Sequence, residues 1–288
     1  MPDAPVLSQW LASDGYPTHV ATWPLPGDRA ARGAVLVLHG VQSHGGWYHD
    51  LGRTLADRGY LAHFVDRRGS GANRQDRGDT PSTRRLLDDV AEYLAELRRA
   101  HPGLPLLLVG ISWGGKLAVV TARERPDLVD AVALICPGLH PRVDVSLAER
   151  IRIAVAYFTS PKKTFPIPLS DPALFTDSPA GQAFIARDPL GLRAATASML
   201  AASAFLDRMV ARAPAKVRQP ALLMLADQDR IVNNHRTVQY WDRLGSSRKQ
   251  VIRYSDGHHT LEFDPDPTRY ARDLAAWFDE LLPSPPSP

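Results

Sequence analysis

Short apolar runs alternate with amphipathic stretches along most of this chain, and that alternation constrains the fold more than any other feature. Ala34–Leu38 (AVLVL), Leu61–Asp66, Pro105–Val109 (PLLLV), Val129–Cys136, Ala221–Ala226 (ALLMLA) and Gln250–Tyr254 read as strands, most of them apolar on both faces. Between and after them, helices are predicted at Tyr48–Arg58, Thr83–Ala100, Trp113–Arg125, His235–Leu244 and Pro267–Leu282. In Thr83–Ala100 the residues Leu86, Leu87, Val90, Tyr93, Leu94 and Leu97 form one stripe, and Ser82 or Thr83 offers an N-cap. Strands alternating with helices predict an α/β class with a mostly parallel sheet flanked by helices. Ser8–Ala12 and His19–Leu25, on either side of Asp14-Gly15, read as an opening antiparallel hairpin.

The alternation breaks once. From Pro137 to Pro220 no strong strand is predicted, and helices are expected near Leu147–Phe158, Gly181–Ala186 and Leu192–Val210. The expected organisation is a core of residues 1–137 and 215–282, a helical cap insertion at 138–214, and a disordered tail, PSPPSP, at 283–288. Phe158, Phe165, Phe175, Phe184, Met199, Leu200 and Phe205 either line an apolar pocket or form the insertion's own core; most are expected in the core, with a few facing the site.

Composition excludes several classes. The chain has 288 residues, 44% of them hydrophobic and 23% charged, as in ordinary globular domains. Its 34 cationic side chains are interleaved with 31 anionic ones, with no basic stripe, so nucleic acid is not an expected partner. No apolar run approaches the ~18 residues that span a bilayer, and the opening MPDAPVLSQW lacks the features of a signal peptide. The single cysteine, Cys136, excludes an intrachain disulfide, reads as a buried strand residue and fits the cytoplasm. Oligomeric state is not encoded in any of these patterns.

The chemistry concentrates after predicted strands. Gly110-Ile111-Ser112-Trp113-Gly114 fits G-x-S-x-G, follows the strand PLLLV and opens a helix, which is the setting of a nucleophile elbow. Small neighbours let the backbone turn sharply enough to lift the serine hydroxyl above the sheet. A serine hydroxyl needs a base. Asp227 and Asp229 follow the strand ALLMLA, and His258 and His259 follow the last strand. The carboxyl edge of a parallel sheet is where such groups meet, although the residues alone do not choose within either pair. Rival readings are weaker. His39, His44 and His49 match no metal geometry, and Gly69-Ser70-Gly71 lacks the third glycine of a dinucleotide loop. Arg67, Arg68, Arg74 and Arg77, interleaved with Asp66, Asp76 and Asp79, read as a salt-bridged loop, and Lys162-Lys163 as solvated.

With these motifs in hand, the chain resembles the α/β-hydrolase superfamily, and within it the monoacylglycerol lipase-like serine hydrolases. The resemblance covers nearly the whole chain. It rests on His39-Gly40, on Asp66-Arg67-Arg68-Gly69-Ser70-Gly71, on the elbow, on Asp229–Val232 and on the histidine before the helix start expected at Thr260-Leu261-Glu262. It implies the α/β-hydrolase fold and a triad of Ser112 as nucleophile, Asp229 as acid and His259 as base. It also implies an oxyanion hole from the backbone N–H groups of Val41 and Trp113. His44 is a candidate substrate contact, with bracing of its own loop as the alternative. The elbow departs from the family's usual His-Ser-Met, and the bulk of Trp113 is expected to reshape the pocket. The expected activity is cleavage of small to medium apolar carboxylic esters, as a carboxylesterase or monoacylglycerol lipase-like enzyme, through an acyl-enzyme on Ser112, without metal or organic cofactor. An acyltransferase or thioesterase using the same triad is the alternative; a non-catalytic hydrolase-like binding protein is disfavoured by the complete triad.

Overall fold

In the computed structural model, which describes residues 4–27 and 29–282, the chain opens with the antiparallel hairpin β1 (Val6–Leu11) and β2 (Pro17–Trp23). There follow β3 (Gly33–Leu38), α1 (His49–Asp57), β4 (Tyr60–Val65), α2 (Thr83–Ala100), β5 (Leu106–Ile111), α3 (Gly114–Glu124) and β6 (Ala131–Ile135). After β6 the chain leaves the sheet and forms α4 (Leu147–Thr159), β7 (Thr164–Pro166), α5 (Pro179–Arg187), β8 (Ala194–Thr196) and α6 (Ala197–Ala211). It returns through β9 (Ala221–Ala226), α7 (Asn234–Asp242), β10 (Lys249–Tyr254) and α8 (Arg269–Leu281).

Eight strands pair in the order β1-β2-β4-β3-β5-β6-β9-β10. All pairs from β4 to β10 are parallel, and every residue of β3, β5, β6 and β9 is buried. Helices cover both faces of such a sheet, which is why these strands are continuous apolar runs. From β3 the chain moves to β4 on one side and then to β5 on the other. That reversal opens a crevice at the carboxyl ends of β3 and β5, the place where open α/β sheets bind ligands. The helix α2 begins where Ser82 Oγ accepts the Arg85 N–H at 3.1 Å, and it buries the Leu86–Leu97 stripe.

The excursion after β6 differs from expectation. The helix expected from Leu192 begins at Ala197 instead, and Ala194–Thr196 pairs antiparallel with Thr164–Pro166. Tertiary hydrogen bonds override helix propensity there. The Leu192 N–H donates to Gln42 O (3.0 Å), Arg193 O accepts from Ile167 N–H (2.9 Å), and Thr196 Oγ1 caps the helix at Met199 N–H (3.1 Å). Thr260-Leu261-Glu262 likewise leads only into a 3₁₀ turn, Leu261–Phe263, because Pro265 and Pro267 disfavour helix in the residues before them. Phe165, Phe175 and Met199 are buried, Leu200 is half-buried, and Phe158, Phe184 and Phe205 are exposed. Lys162, expected to be solvated, pairs with Asp79 while remaining exposed. In the arginine group, Arg68 is bound by Asp14 and Asp89, whereas Arg67 and Arg77 bond backbone carbonyls. Cys136 is fully buried. Among the described residues, no helix is long and apolar enough to cross a membrane. The tail 283–288 lies outside the described residues.

One packing contact gives a signed stability prediction. Replacing a mid-helix glycine by alanine ordinarily gains about 1 kcal/mol. In α1, however, a Cβ on Gly52 would lie 2.0 Å from the buried Trp23 Nε1. Gly52→Ala is therefore expected to destabilise by about 1–3 kcal/mol, read as a lower urea or thermal midpoint; an unchanged or raised midpoint would contradict this packing.

Candidate functional site

Ser112 occupies the turn between β5 and α3 with φ of +51°, in the left-handed region that side chains rarely adopt. Its own peptide groups hold that conformation. Ser112 N–H donates to Ile135 O (2.9 Å), and Ser112 O accepts from Gly115 N–H (2.9 Å) and Gly138 N–H (2.8 Å). The motif glycines are needed for close approach: a Cβ on Gly114 would sit 2.2 Å from Leu38 O, and one on Gly110 2.7 Å from Ala118 Cβ.

The other two groups arrive from the ends of β9 and β10. His259 Nε2 lies 2.9 Å from Ser112 Oγ, and His259 Nδ1 lies 2.7 Å from Asp229 Oδ2. With a carboxylate at Nδ1 the ring proton belongs there, leaving Nε2 to accept from the serine hydroxyl. Asp229 is 2% exposed, and its Oδ1 accepts the N–H groups of Ile231 (2.7 Å) and Val232 (2.8 Å). Those bonds explain why the acid stands directly before Arg230-Ile231-Val232: the turn that follows points its amides back at the carboxylate. Asp227 instead pairs with Arg253 (2.6 Å), and His258 lies between Asp177 (3.0 Å) and Asp264 (3.2 Å). Neither touches Ser112.

Val41 follows β3 and faces the same space as Ser112, while Trp113 is the next residue in the elbow. Among the described residues neither backbone N–H has a protein acceptor. Trp113 Nε1 donates to Ser203 Oγ on α6 (2.9 Å), so its ring is turned into the excursion. His44 accepts the Gly46 N–H at Nδ1 (3.1 Å) and donates from Nε2 to Asp188 Oδ2 (3.2 Å), an oxygen that also accepts from Trp47 Nε1 (2.7 Å). The His44 side chain thus ties its loop to the end of α5 and is not among the groups lining the space beside Ser112.

That space is lined by Gln42, Trp47, Ile111, Leu169, Phe175 and Glu262, among others. Phe175 packs its edge on the His259 ring at 6.0 Å. Gln42 is buried; its Nε2 donates to Leu169 O (3.0 Å) and its Oε1 is unpartnered among the described residues. Burial pushes the Glu262 carboxyl up to about 7, and Tyr270 donates its hydroxyl to it. Sequence reasoning missed Gln42 and Asp188, which carry no motif, and took Glu262 for a helix start. Among the described residues no group of three or more His, Cys, Asp or Glu side chains is placed to hold a metal ion.

Residues 29–266 match the family model described as serine aminopeptidase, S33. The chain is 26% identical over 259 residues to human monoglyceride lipase, covering 88% of this chain and 84% of that protein. It is 24% identical over 261 residues to monoacylglycerol lipase of Mycolicibacterium smegmatis, covering 87% and 89%. The crystal structure of a soluble variant of monoglyceride lipase from Saccharomyces cerevisiae superposes with a TM-score of 0.85 at 19% identity, covering 98% of this chain and 97% of that one. The chain belongs to the serine aminopeptidase, S33 family and is a serine hydrolase of the α/β-hydrolase fold, similar to monoacylglycerol lipases.

Proposed function

We propose that this enzyme cleaves carboxylic esters through an acyl-enzyme on Ser112, with His259 as base, Asp229 as its orienting acid and the N–H groups of Val41 and Trp113 as the oxyanion hole. The observation that carries the reading is the relay from Ser112 Oγ to His259 (2.9 Å) and on to Asp229 (2.7 Å). His259 Nε2 takes the serine proton as Oγ bonds to the ester carbonyl carbon. The carbonyl oxygen becomes anionic and is held by the two backbone N–H groups. The tetrahedral centre collapses, the C–O bond to the alcohol breaks, and His259 returns its proton to the leaving oxygen. A water, deprotonated by the same nitrogen, then releases the acid and restores Ser112. Asp229 holds the Nδ1 tautomer and stabilises the imidazolium in each step.

Residues 138–214 serve as a cap on a core made of 1–137 and 215–282. Two cap residues, Leu169 and Phe175, line the space beside Ser112 together with core residues Trp47 and Ile111. Their largely apolar wall, open at its mouth, fits small to medium apolar esters. The named lipase relatives support ester chemistry. The single buried cysteine fits a cytoplasmic setting.

Ser112→Ala is expected to abolish ester turnover, by a factor on the order of 10⁴ or more, while its thermal midpoint stays near wild type; near-wild-type rates would refute the nucleophile. His259→Ala should match that loss and His258→Ala should be much milder, and Asp229→Asn should cripple turnover where Asp227→Asn does not. The opposite ranking in steady-state assays would move the base to His258 or the acid to Asp227. Across a p-nitrophenyl ester series, kcat/KM should rise with acyl length by up to about 0.8 kcal/mol of binding per methylene and then level off as the pocket fills. Rates indifferent to chain length would show that the cap buries none of the acyl group.

A further inference from the structure

Arg67 is the first arginine of Asp66-Arg67-Arg68-Gly69, and the triad chemistry makes no use of it. Its side chain is nevertheless placed unusually. The residue is 8% exposed, and among the described residues no carboxylate oxygen comes within ion-pair distance of its guanidinium. The adjacent Asp66 has both oxygens directed elsewhere, to the N–H groups of Gly45 and Ala72 and to the His19 ring. The Arg67 Nε is buried and unpartnered. Burial pulls the guanidinium down to about 10, which leaves it cationic at neutral pH. Burying a cation without a counter-ion is costly, so what the charge touches matters.

It touches the oxyanion loop and the elbow. Arg67 Nη1 donates to Gly40 O (3.1 Å), Nη2 donates to Val41 O (3.0 Å), and the guanidinium carbon lies 4.7 Å from the centre of a Trp113 ring. The carbonyl of Gly40 and the N–H of Val41 belong to one peptide group. A cation bonded to that carbonyl oxygen withdraws electron density through the amide and strengthens the N–H as a donor, the cooperativity of linked hydrogen bonds. A second donor acts on the same oxygen. The Arg67 N–H donates to His39 Nε2 (2.8 Å), which puts the ring proton on Nδ1, and Nδ1 lies 2.8 Å from Gly40 O. Burial and the Arg67 charge hold His39 down at about 3, so it stays neutral in that tautomer.

We infer that Arg67, with its cation carried on the Gly40 and Val41 carbonyls and on the Trp113 ring, is a positioning residue that fixes both oxyanion-hole segments and polarises the Gly40–Val41 peptide toward the developing negative charge. The inference rests on assigning the Val41 and Trp113 N–H groups to the oxyanion hole. It makes the second position of the Asp-Arg-Arg-Gly run a determinant of turnover rather than of substrate binding, because a stronger donor at the oxyanion acts in the transition state and little in the ground state.

The test compares wild type, Arg67→Gln, Arg67→Lys and Ser112→Ala for kcat, KM, thermal midpoint and inhibition by an alkyl boronic acid, which adds to a serine hydroxyl as a tetrahedral anion. Arg67→Gln removes the charge and keeps amide donors. It is expected to lower kcat about 10–100-fold, part of the 10²–10³ that loss of a whole oxyanion donor costs. It should weaken the boronate by a similar factor and leave KM within about twofold. Arg67→Lys, which restores a cation, should recover part of both losses; should Arg67→Gln not fold, Arg67→Lys compared with wild type alone is expected to lose kcat and boronate affinity together at near-constant KM. Wild-type kcat and boronate affinity in Arg67→Gln, or a rise in KM at constant kcat, would overturn the inference; so would failure of Arg67→Lys to exceed Arg67→Gln. If Ser112→Ala kept its turnover, the triad reading would fall first. A dead Ser112→Ala beside an unaffected Arg67→Gln would remove this inference alone.

Discussion

The left-handed backbone at Ser112 is the constraint on which the rest of the structure depends. A φ of +51° on a residue with a side chain costs on the order of 1–3 kcal/mol and persists only if its surroundings leave no alternative. They do so from three sides. The ends of β3 and β6 press against the motif glycines, Ser112's own peptide groups are bonded to Ile135, Gly115 and Gly138, and α3 is locked into the sheet by glycines that admit no Cβ. The central strands are therefore buried along their whole length for more than packing. They make the platform rigid enough to hold a strained serine where the strand order reverses.

A second layer of constraint lies just beneath the loop that carries Gly40 and Val41. Asp66 fastens Gly45 and Ala72, Arg67 fastens Gly40 and Val41, and His39 completes the set in a single tautomer. From above, the loop is held by Gln42 to Leu169 and Leu192, and by His44 and Trp47 to Asp188. The excursion after β6 is thus bonded to the loop that carries Val41 as well as packed over it.

Much of this was legible in the sequence because buried parallel strands and capped amphipathic helices obey local rules. AVLVL, PLLLV and ALLMLA became β3, β5 and β9, and Thr83–Ala100 became α2 with Ser82 as its cap. That an acid and a histidine would join Ser112 at one edge was readable because each candidate pair follows a strand; the choice of Asp229 and His259 within those pairs came from the family resemblance, since Asp227 and His258 follow the same strands. Other features were illegible for physical reasons. The strand Ala194–Thr196 exists because Gln42 and Ile167 claim its neighbours' backbone groups, which are tertiary partners no local pattern displays. Arg67 read as a surface salt-bridge residue because a run of alternating charges gives no sign that one member turns inward. The role of His44 depended on Asp188, far away in sequence and near only in the fold.

The central claim is that Ser112 is an activated nucleophile, and one measurement addresses it without knowledge of the natural substrate. The wild-type protein is treated with an alkyl fluorophosphonate, digested and analysed by tandem mass spectrometry. The account predicts stoichiometric phosphonylation confined to Ser112, at a rate that collapses when His259 is replaced. Labelling at another serine, or none on folded protein, would contradict it.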